Sequence, residues 1–203
     1  MNPEPNITPV FPVPILNTQL NVSDGEFLSW ENFIKSQEYW VGKSTPITQD
    51  QHILDNNIFN NLKNQITKMS IYYLNNIGYK IDSVKITSSW GVKTINERDS
   101  STHDHSNSFI SGVFYFNKGS NIMFSNPNTS KWWLKSLPIQ EESIDIFKWT
   151  SFSFKPCPKL LIMFPSWLFH KIESKNENEK RFSIAFNIIP KGYFGGAGSK
   201  INL

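Results

Sequence analysis

The sequence predicts a mainly β protein, a barrel or sandwich with helices packed against its outside. Two observations lead to this class. Before Gly78 the apolar residues recur at spacings of three and four, whereas after Gly78 they alternate in about eight short segments separated by turn residues. No internal repeat or linker divides the chain, so residues 1–203 are expected to form a single domain.

The N-terminal part is expected to support the barrel from outside. Residues 1–20 are predicted to be an extended arm that can dock as an edge strand, because five prolines there exclude a helix. Residues 21–80 are predicted to be helical, with a short amphipathic helix or two broken turns within 23–41. A clear helix is expected over about 53–77, because apolar residues fall on one face and Gly78 follows.

The barrel core is expected within residues 81–190. Six of the short strands are assigned to ranges, at 80–95, 109–116, 122–126, 151–156, 159–165 and 181–190.

Two segments of the C-terminal part have no assigned strand. An insertion at 127–149 carries Trp132 and Trp133, which could pack on a substrate or, as we favour, on the protein itself. The glycine-rich tail 191–203 is expected to be loose.

The composition and charge of the chain limit the classes of partner that we expect it to bind. The net charge is +3, and the basic residues are interleaved with acidic ones, which does not indicate a nucleic-acid surface. No apolar stretch approaches the ~18 residues that a membrane span needs, and the N-terminus lacks a secretory signal pattern. The single cysteine, Cys157, indicates a reducing compartment. We therefore expect a cytoplasmic protein whose partner is a small-molecule or peptide substrate. A homo-oligomeric state is also possible.

Three of the four histidines could hold one metal ion. His103 and His105 lie two positions apart, so both imidazoles face the same side of an extended segment. His170 follows an apolar strand and could join them only in a β fold that brings distant strands together. A facial metal site usually has two histidines and one carboxylate, so Asp104 or Asn107 could replace one imidazole. Fe(II), zinc, copper and nickel all suit such donors.

An arginine follows at the start of the last long strand. Arg181, Ser183, Ala185 and Asn187 share one face of that strand. A guanidinium with a hydroxyl two positions away can clamp a carboxylate. The alternative is an arginine that caps the glutamate-rich loop before it.

Taken in order, three motifs resemble a known family. They are "HDHSNSFISGVFY" from His103, "FPSWLFH" ending at His170, and "RFSIAFN" from Arg181 to Asn187. From about Trp90 to Asn187 the chain is similar to the 2-oxoglutarate–Fe(II) oxygenase family of bacteria and phages. That family belongs to the double-stranded β-helix dioxygenase superfamily.

The resemblance implies a fold, a cofactor set and an activity. The fold would be a jelly-roll, cupin-like double-stranded β-helix, in a bacterial cell or a phage-infected host. Iron would be held by the catalytic residues His103, His105 and His170 at the barrel mouth. The co-substrates would be O2 and 2-oxoglutarate, the latter bound by Arg181 and Ser183, with Tyr115 and Asn187 as further cofactor-binding residues.

The implied activity is that of a hydroxylase, an oxidoreductase that converts 2-oxoglutarate to succinate while it hydroxylates an unidentified substrate. The chain departs from the superfamily at one position, because His105 stands where a carboxylate is usual. This departure leaves two alternatives. One is a three-histidine iron dioxygenase without 2-oxoglutarate, in which Arg181 would bind the substrate's own carboxylate. The other is a non-catalytic β-barrel, a binding or virion-associated module.

Overall fold

A computed structural model describes residues 12–40, 45–94, 100–128, 150–173, 180–196 and 198–203. Two α-helices precede most of the strands. The helices are α1 (Asp24–Ser36) and α2 (Asn60–Asn76). The strands are β1 (Leu16–Gln19), β2 (Tyr39–Trp40), β3 (Ile47–Thr48), β4 (Ser83–Thr94), β5 (Ile110–Tyr115), β6 (Ile122–Ser125), β7 (Ser151–Phe154), β8 (Leu160–Pro165), β9 (His170–Ile172), β10 (Arg181–Lys191), β11 (Tyr193–Phe194) and β12 (Ile201–Asn202).

The first helix starts at a side-chain cap. The Ser23 hydroxyl accepts a hydrogen bond from the Glu26 amide and donates one to the Glu26 carboxylate at 2.8 Å. This arrangement satisfies donors that the first helical turn leaves without partners. The sequence left this segment as either a helix or two broken turns, and the structure shows one helix of 13 residues.

The second helix is shorter than predicted at its N-terminal end. Two 3₁₀ turns, Ile53–Asp55 and Asn57–Phe59, precede α2, so the α-helix begins at Asn60 and not at position 53. The Asn56 side chain accepts a hydrogen bond from the Ile58 amide and so caps the start of the second 3₁₀ turn. At the other end the helix stops at Gly78, which has a positive φ of 99°, as predicted.

The strands form a seven-stranded sheet and a three-stranded sheet. The large sheet has the order β1-β8-β5-β10-β4-β3-β2, and the small sheet has the order β7-β6-β9. All pairings in both sheets are antiparallel. The predicted mainly β, double-stranded β-helix architecture is therefore confirmed, and the arm docks as the edge strand β1 on β8.

Alternation along the central strands divides their side chains between two cores. On β10, Phe182, Ile184 and Phe186 face the helices and join a core built around Trp30. The opposite faces of β5 and β8 pack with β6 into a second core, between the two sheets, with the members Val113, Tyr115, Ile122, Phe124, Leu160, Ile162, Phe164 and Leu168. The helices therefore cover one face of the large sheet and leave the other face to the barrel interior.

Two C-terminal features differ from expectation. Residues Tyr193–Phe194 and Ile201–Asn202 pair as the hairpin β11–β12, whereas a loose tail was predicted. Strand β9 was not predicted, because three residues are too few to show a period. The insertion expected at 127–149 lies almost entirely outside the described residues. In the described part of the chain, no helix is long and apolar enough to cross a membrane.

Gly112 is required for the close approach of β5 and its neighbours. A Cβ at this position would lie 2.4 Å from the Phe186 ring and 2.8 Å from the Ile162 carbonyl oxygen. We expect Gly112→Ala to lower the free energy of unfolding by about 1–3 kcal/mol, because an overpacked core must shift backbone. Urea unfolding checks this. Gly25→Ala is the matched control, since a Cβ there meets nothing within 4 Å, and equal losses in both variants would contradict the packing argument.

Candidate active site

Two backbone hydrogen bonds bring the distant histidines together. The His103 amide donates to the His170 carbonyl at 3.0 Å, and the His170 amide donates back at 2.9 Å. This isolated antiparallel bridge extends the small sheet beyond β9. The His105 amide then donates to the Ser166 carbonyl at 2.9 Å. The loop before β5 is thus tied to both ends of the turn that leads into β9.

The three imidazoles converge as one group. Their candidate ligand nitrogens all lie within 4.8 Å of one another, and the Nε2 atoms of His105 and His170 are 3.3 Å apart. Nδ1 of His103 is 2.8 Å from the Ser101 carbonyl and Nδ1 of His170 is 2.9 Å from the Leu168 carbonyl. A carbonyl can only accept, so both Nδ1 atoms carry the proton and both Nε2 atoms keep a lone pair for a cation. This donor set fits a divalent metal ion.

Burial keeps two of these imidazoles neutral. It lowers the pKa of His170 to about 3 and the pKa of His105 to about 4, and nearby His103 contributes to both shifts in the same direction. A metal ligand must be deprotonated, and a histidine with such a low pKa is available near neutral pH without releasing a proton.

The two other donors considered for the metal, Asp104 and Asn107, are both exposed. Asp104 is not part of the three-histidine cluster. Asn107 adopts a left-handed backbone with a φ of 54°, which turns the chain toward β5. The geometry therefore favours His105 as the third donor, and its role as a ligand stays a prediction.

A cavity of about 370 Å³ lies between the two sheets and contains the histidines at its wall. Most of its other walls are apolar or bear hydroxyls, and among the described lining residues Arg181 is the only charged side chain. The lining residues are Thr45, Ile47, Gln51, Trp90, Val92, Ser100, Ser101, His103, His105, Gly112, Val113, Tyr115, Ile122, Phe164, His170, Ile172, Arg181, Ser183, Ala185 and Phe186.

Arg181 is a buried cation that the described residues do not neutralise. Its side chain is 2% exposed and forms no salt bridge with a described carboxylate. Nη1 donates to the Ser120 carbonyl at 2.5 Å, and Nη2 donates to the Thr94 hydroxyl at 2.9 Å. Nε has no partner, and the buried Ser183 hydroxyl beside it has none either. A buried guanidinium with free donors is a site for an anion.

The turn between β5 and β6 is shaped around this guanidinium. Gly119 has a φ of 143°, and a Cβ there would lie 2.9 Å from the Arg181 Cβ. Below the guanidinium lies the Tyr115 ring, with its centroid 5.1 Å from the Arg181 Cζ. Burial raises the pKa of Tyr115 to about 12, so the phenol stays neutral. Sequence reasoning missed Thr94 and Ser120, because their contacts depend on strand register and on a turn.

Asn187 lies in a polar network and not in the cavity wall. Its Oδ1 accepts from the Ser111 hydroxyl at 2.8 Å, and its Nδ2 donates to the Ser88 hydroxyl at 3.2 Å. The Ser111 hydroxyl is also 2.9 Å from that of Ser166, which donates to Ser108 at 2.8 Å. Ser166 in turn holds the His105 amide through its carbonyl. The network thus joins β10, β5 and the loop that carries His103 and His105.

The fold and the site together define a double-stranded β-helix with a three-histidine centre and a buried arginine in one cavity. Residues 88–187 match the family model described as "Putative 2OG-Fe(II) oxygenase", so this stretch of the chain is similar to that family. All three motifs identified in the sequence lie inside the matched stretch. No curated protein sequence matches the chain.

Solved structures share the fold at low sequence identity. The α-ketoglutarate-dependent epimerase SnoN from nogalamycin biosynthesis is 9% identical, with a TM-score of 0.65 over 92% of this chain and 83% of its own. HygX from Streptomyces hygroscopicus, crystallised with nickel and 2-oxoglutarate, is 10% identical, with a TM-score of 0.57 over 88% and 83% of the two chains. A Pseudomonas putida prolyl-4-hydroxylase is 8% identical, with a TM-score of 0.56 over 86% and 92%.

The low histidine pKa values predict how the metal-free protein responds to pH. Unfolded histidines bind protons below a pKa of about 6.5, whereas the folded protein resists protonation of His105 and His170 down to about 4 and 3. The stability should therefore be fully present above pH 6.5 and fall as the pH drops toward 4, by at most about 1.4 kcal/mol per pH unit for each histidine. Urea unfolding of the metal-free protein across this range measures the slope.

His170→Gln should flatten this slope by up to one proton, because glutamine does not titrate. The His52→Gln variant is the control, since His52 is exposed and lies outside the cluster. An unchanged slope in His170→Gln would show that other groups cause the acid sensitivity.

The position of Asn187 predicts that it acts on the metal site through the loop. Asn187→Ala should weaken Ni²⁺ binding several-fold, because the loop with His103 and His105 loses a support. Isothermal titration calorimetry measures the Ni²⁺ affinity, and thermal unfolding measures the accompanying loss of stability. Binding of succinate to the metal-free protein should not change. A selective loss of succinate binding would instead support the direct cofactor contact that the sequence suggested.

Proposed function

We propose that this protein is an Fe(II)- and 2-oxoglutarate-dependent dioxygenase that hydroxylates a small-molecule or peptide substrate. The observation that carries the proposal is one cavity that contains both a neutral three-histidine group and a buried arginine with free donors. The first suits a divalent metal and the second suits the far carboxylate of a dicarboxylic acid.

Different residues along the cavity would bind the metal ion and the co-substrate. His103, His105 and His170 would hold Fe(II) and leave positions open for small molecules. Arg181 and Ser183 would bind the far carboxylate of 2-oxoglutarate and so set the distance of its keto acid end from the histidines. Along β10, Ala185 follows these two residues on the same face and leaves space between the arginine and the metal group.

Fe(II) held there would supply the oxidation chemistry, in which O2 and 2-oxoglutarate give succinate and CO2 and one oxygen atom enters a C–H bond of the substrate. The chain keeps water away from this step with a largely apolar wall. Phe164, Ile122 and Val113 line the cavity from strands of both sheets. Other aromatic residues of these segments lie elsewhere, since Phe114 and Phe116 pack toward the helices and Trp167 is 53% exposed.

Relatives of the same fold support the assignment of the ligands. The HygX structure contains nickel and 2-oxoglutarate, and a SnoN structure was solved with Fe³⁺, α-ketoglutarate and nogalamycin RO. We also propose a cytoplasmic location, supported by the unpaired thiol of Cys157.

A second candidate function rests on His105. A centre of three neutral imidazoles lacks the carboxylate that usually completes a facial site, and such a centre also suits a dioxygenase that uses no 2-oxoglutarate. In that enzyme Arg181 would bind the carboxylate of the substrate itself.

Binding experiments separate the two functions. Anaerobic Fe(II)-loaded protein should develop a weak visible band near about 500 nm when 2-oxoglutarate is added. Arg181→Ala should weaken 2-oxoglutarate binding to the Ni²⁺-loaded protein about 100-fold, because a charge-assisted pair contributes about 3 kcal/mol. Circular dichroism of each variant confirms that it is folded.

The control ligand is 2-oxopentanoate, which has the same keto acid end and no far carboxylate. Its binding should be the same in the wild type and in Arg181→Ala. Iron that binds without any band on addition of 2-oxoglutarate would favour the second candidate. If neither His103→Ala nor His170→Ala changed metal affinity, a non-catalytic barrel would be the correct assignment.

A further inference from the structure

Three buried side-chain atoms of the described residues have no hydrogen-bond partner, and all three belong to residues that line the same cavity. They are Nε of Arg181, the hydroxyl of Ser183 and the hydroxyl of Thr45. Native proteins leave few buried polar atoms without partners, and a ligand is one explanation when such atoms share a cavity. The proposed function uses the first two atoms and leaves Thr45 unexplained.

Thr45 precedes β3, which is separated from β10, the strand of Arg181, by β4 in the large sheet. Strand β3 pairs with β4 through Ile47 and Val92, and the Lys93 amide donates to the Pro46 carbonyl at 3.0 Å. Continued by one residue, this antiparallel register places Thr45 beside Thr94.

Thr94 links this position to the guanidinium. It is paired in register with Arg181 of β10, and its hydroxyl accepts from Nη2 of Arg181 at 2.9 Å. The hydroxyl of Thr45 therefore approaches the same end of the cavity as the guanidinium, from the opposite side of β4.

We propose that Thr45 donates a hydrogen bond to the carboxylate that Arg181 and Ser183 bind. This inference rests on the proposed function, and it adds a third donor from a separate part of the chain. A carboxylate has two oxygens with about four lone-pair positions, so it can accept from a guanidinium and two hydroxyls together. Burial of the three donors would strengthen each bond, because the cavity has a low dielectric.

The position of Thr45 gives this contact a consequence for selectivity. Thr45 lies outside residues 88–187, the stretch that matches the family model. The N-terminal segment would thus help to choose a dicarboxylic over a monocarboxylic co-substrate, in addition to covering the edge of β4. Thr48 in β3 has a different task, because its hydroxyl donates to the Asp50 carbonyl and accepts from the Gly91 amide.

Thr45→Val tests the proposal, since valine keeps the branched shape and removes the hydroxyl. In Ni²⁺-loaded protein we expect about tenfold weaker binding of 2-oxoglutarate and unchanged binding of 2-oxopentanoate. The thermal midpoint of the ligand-free variant should be equal to or above that of the wild type, because the variant loses an unpaired buried hydroxyl. If the Thr45 hydroxyl only stabilised the fold, its removal would lower that thermal midpoint.

Thr67→Val is the matched control, because the Thr67 hydroxyl bonds the Lys63 carbonyl within α2 and is not part of the cavity. It should leave both affinities unchanged. Wild-type affinity for 2-oxoglutarate in Thr45→Val, together with a large loss in Arg181→Ala, would overturn the role of Thr45 and leave the proposed function standing. Equal losses for both ligands in Thr45→Val would also overturn it. No loss in Arg181→Ala would overturn the proposed function itself.

Discussion

The site depends on the reciprocal backbone pairing of His103 with His170. These residues are far apart along the chain, and two hydrogen bonds of 3.0 and 2.9 Å hold their backbones side by side. The pairing also sets the orientation of the rings, since both Nδ1 atoms contact carbonyls of their own loops. His105 follows two residues later and reaches the same point. The three imidazoles therefore meet only because the small sheet gains one more backbone pairing beyond β9.

The buried arginine sets the second constraint on the fold. A guanidinium removed from water needs polar contacts, and Arg181 obtains them from a turn carbonyl, a strand hydroxyl and the face of Tyr115. These contacts occupy two of its five N–H groups and leave donors available in the cavity. The described residues supply no carboxylate to cancel its charge. The protein thus keeps a cation ready for a ligand, and the stability of the sheet compensates the cost of its burial.

Strand β10 contributes both to the arginine site and to the support of the histidine loop, because its two faces have different environments. Phe182, Ile184 and Phe186 pack against the helices, while the alternate residues line the cavity. Farther along, Asn187 joins a chain of serine hydroxyls that reaches the histidine loop. A single strand therefore contributes to the hydrophobic core, carries the buried Arg181 and supports the loop with His103 and His105. We infer that changes in core packing on this strand would be transmitted to both ends of the cavity.

The sequence by itself determined what local periodicity controls. It placed His103 with His105, and Arg181 with Ser183, on common faces, because neighbours at i and i+2 in a strand share a side. It also predicted the barrel and the end of α2. The tertiary structure alone decided which distant residues meet: His170 with His103, Thr94 with Arg181, and Thr45 beside the same cavity. It also placed Asn187, which the resemblance implied as a cofactor-binding residue, in a network of serine hydroxyls. These outcomes depend on sheet order and register, which arise from long-range packing and leave no period in the chain.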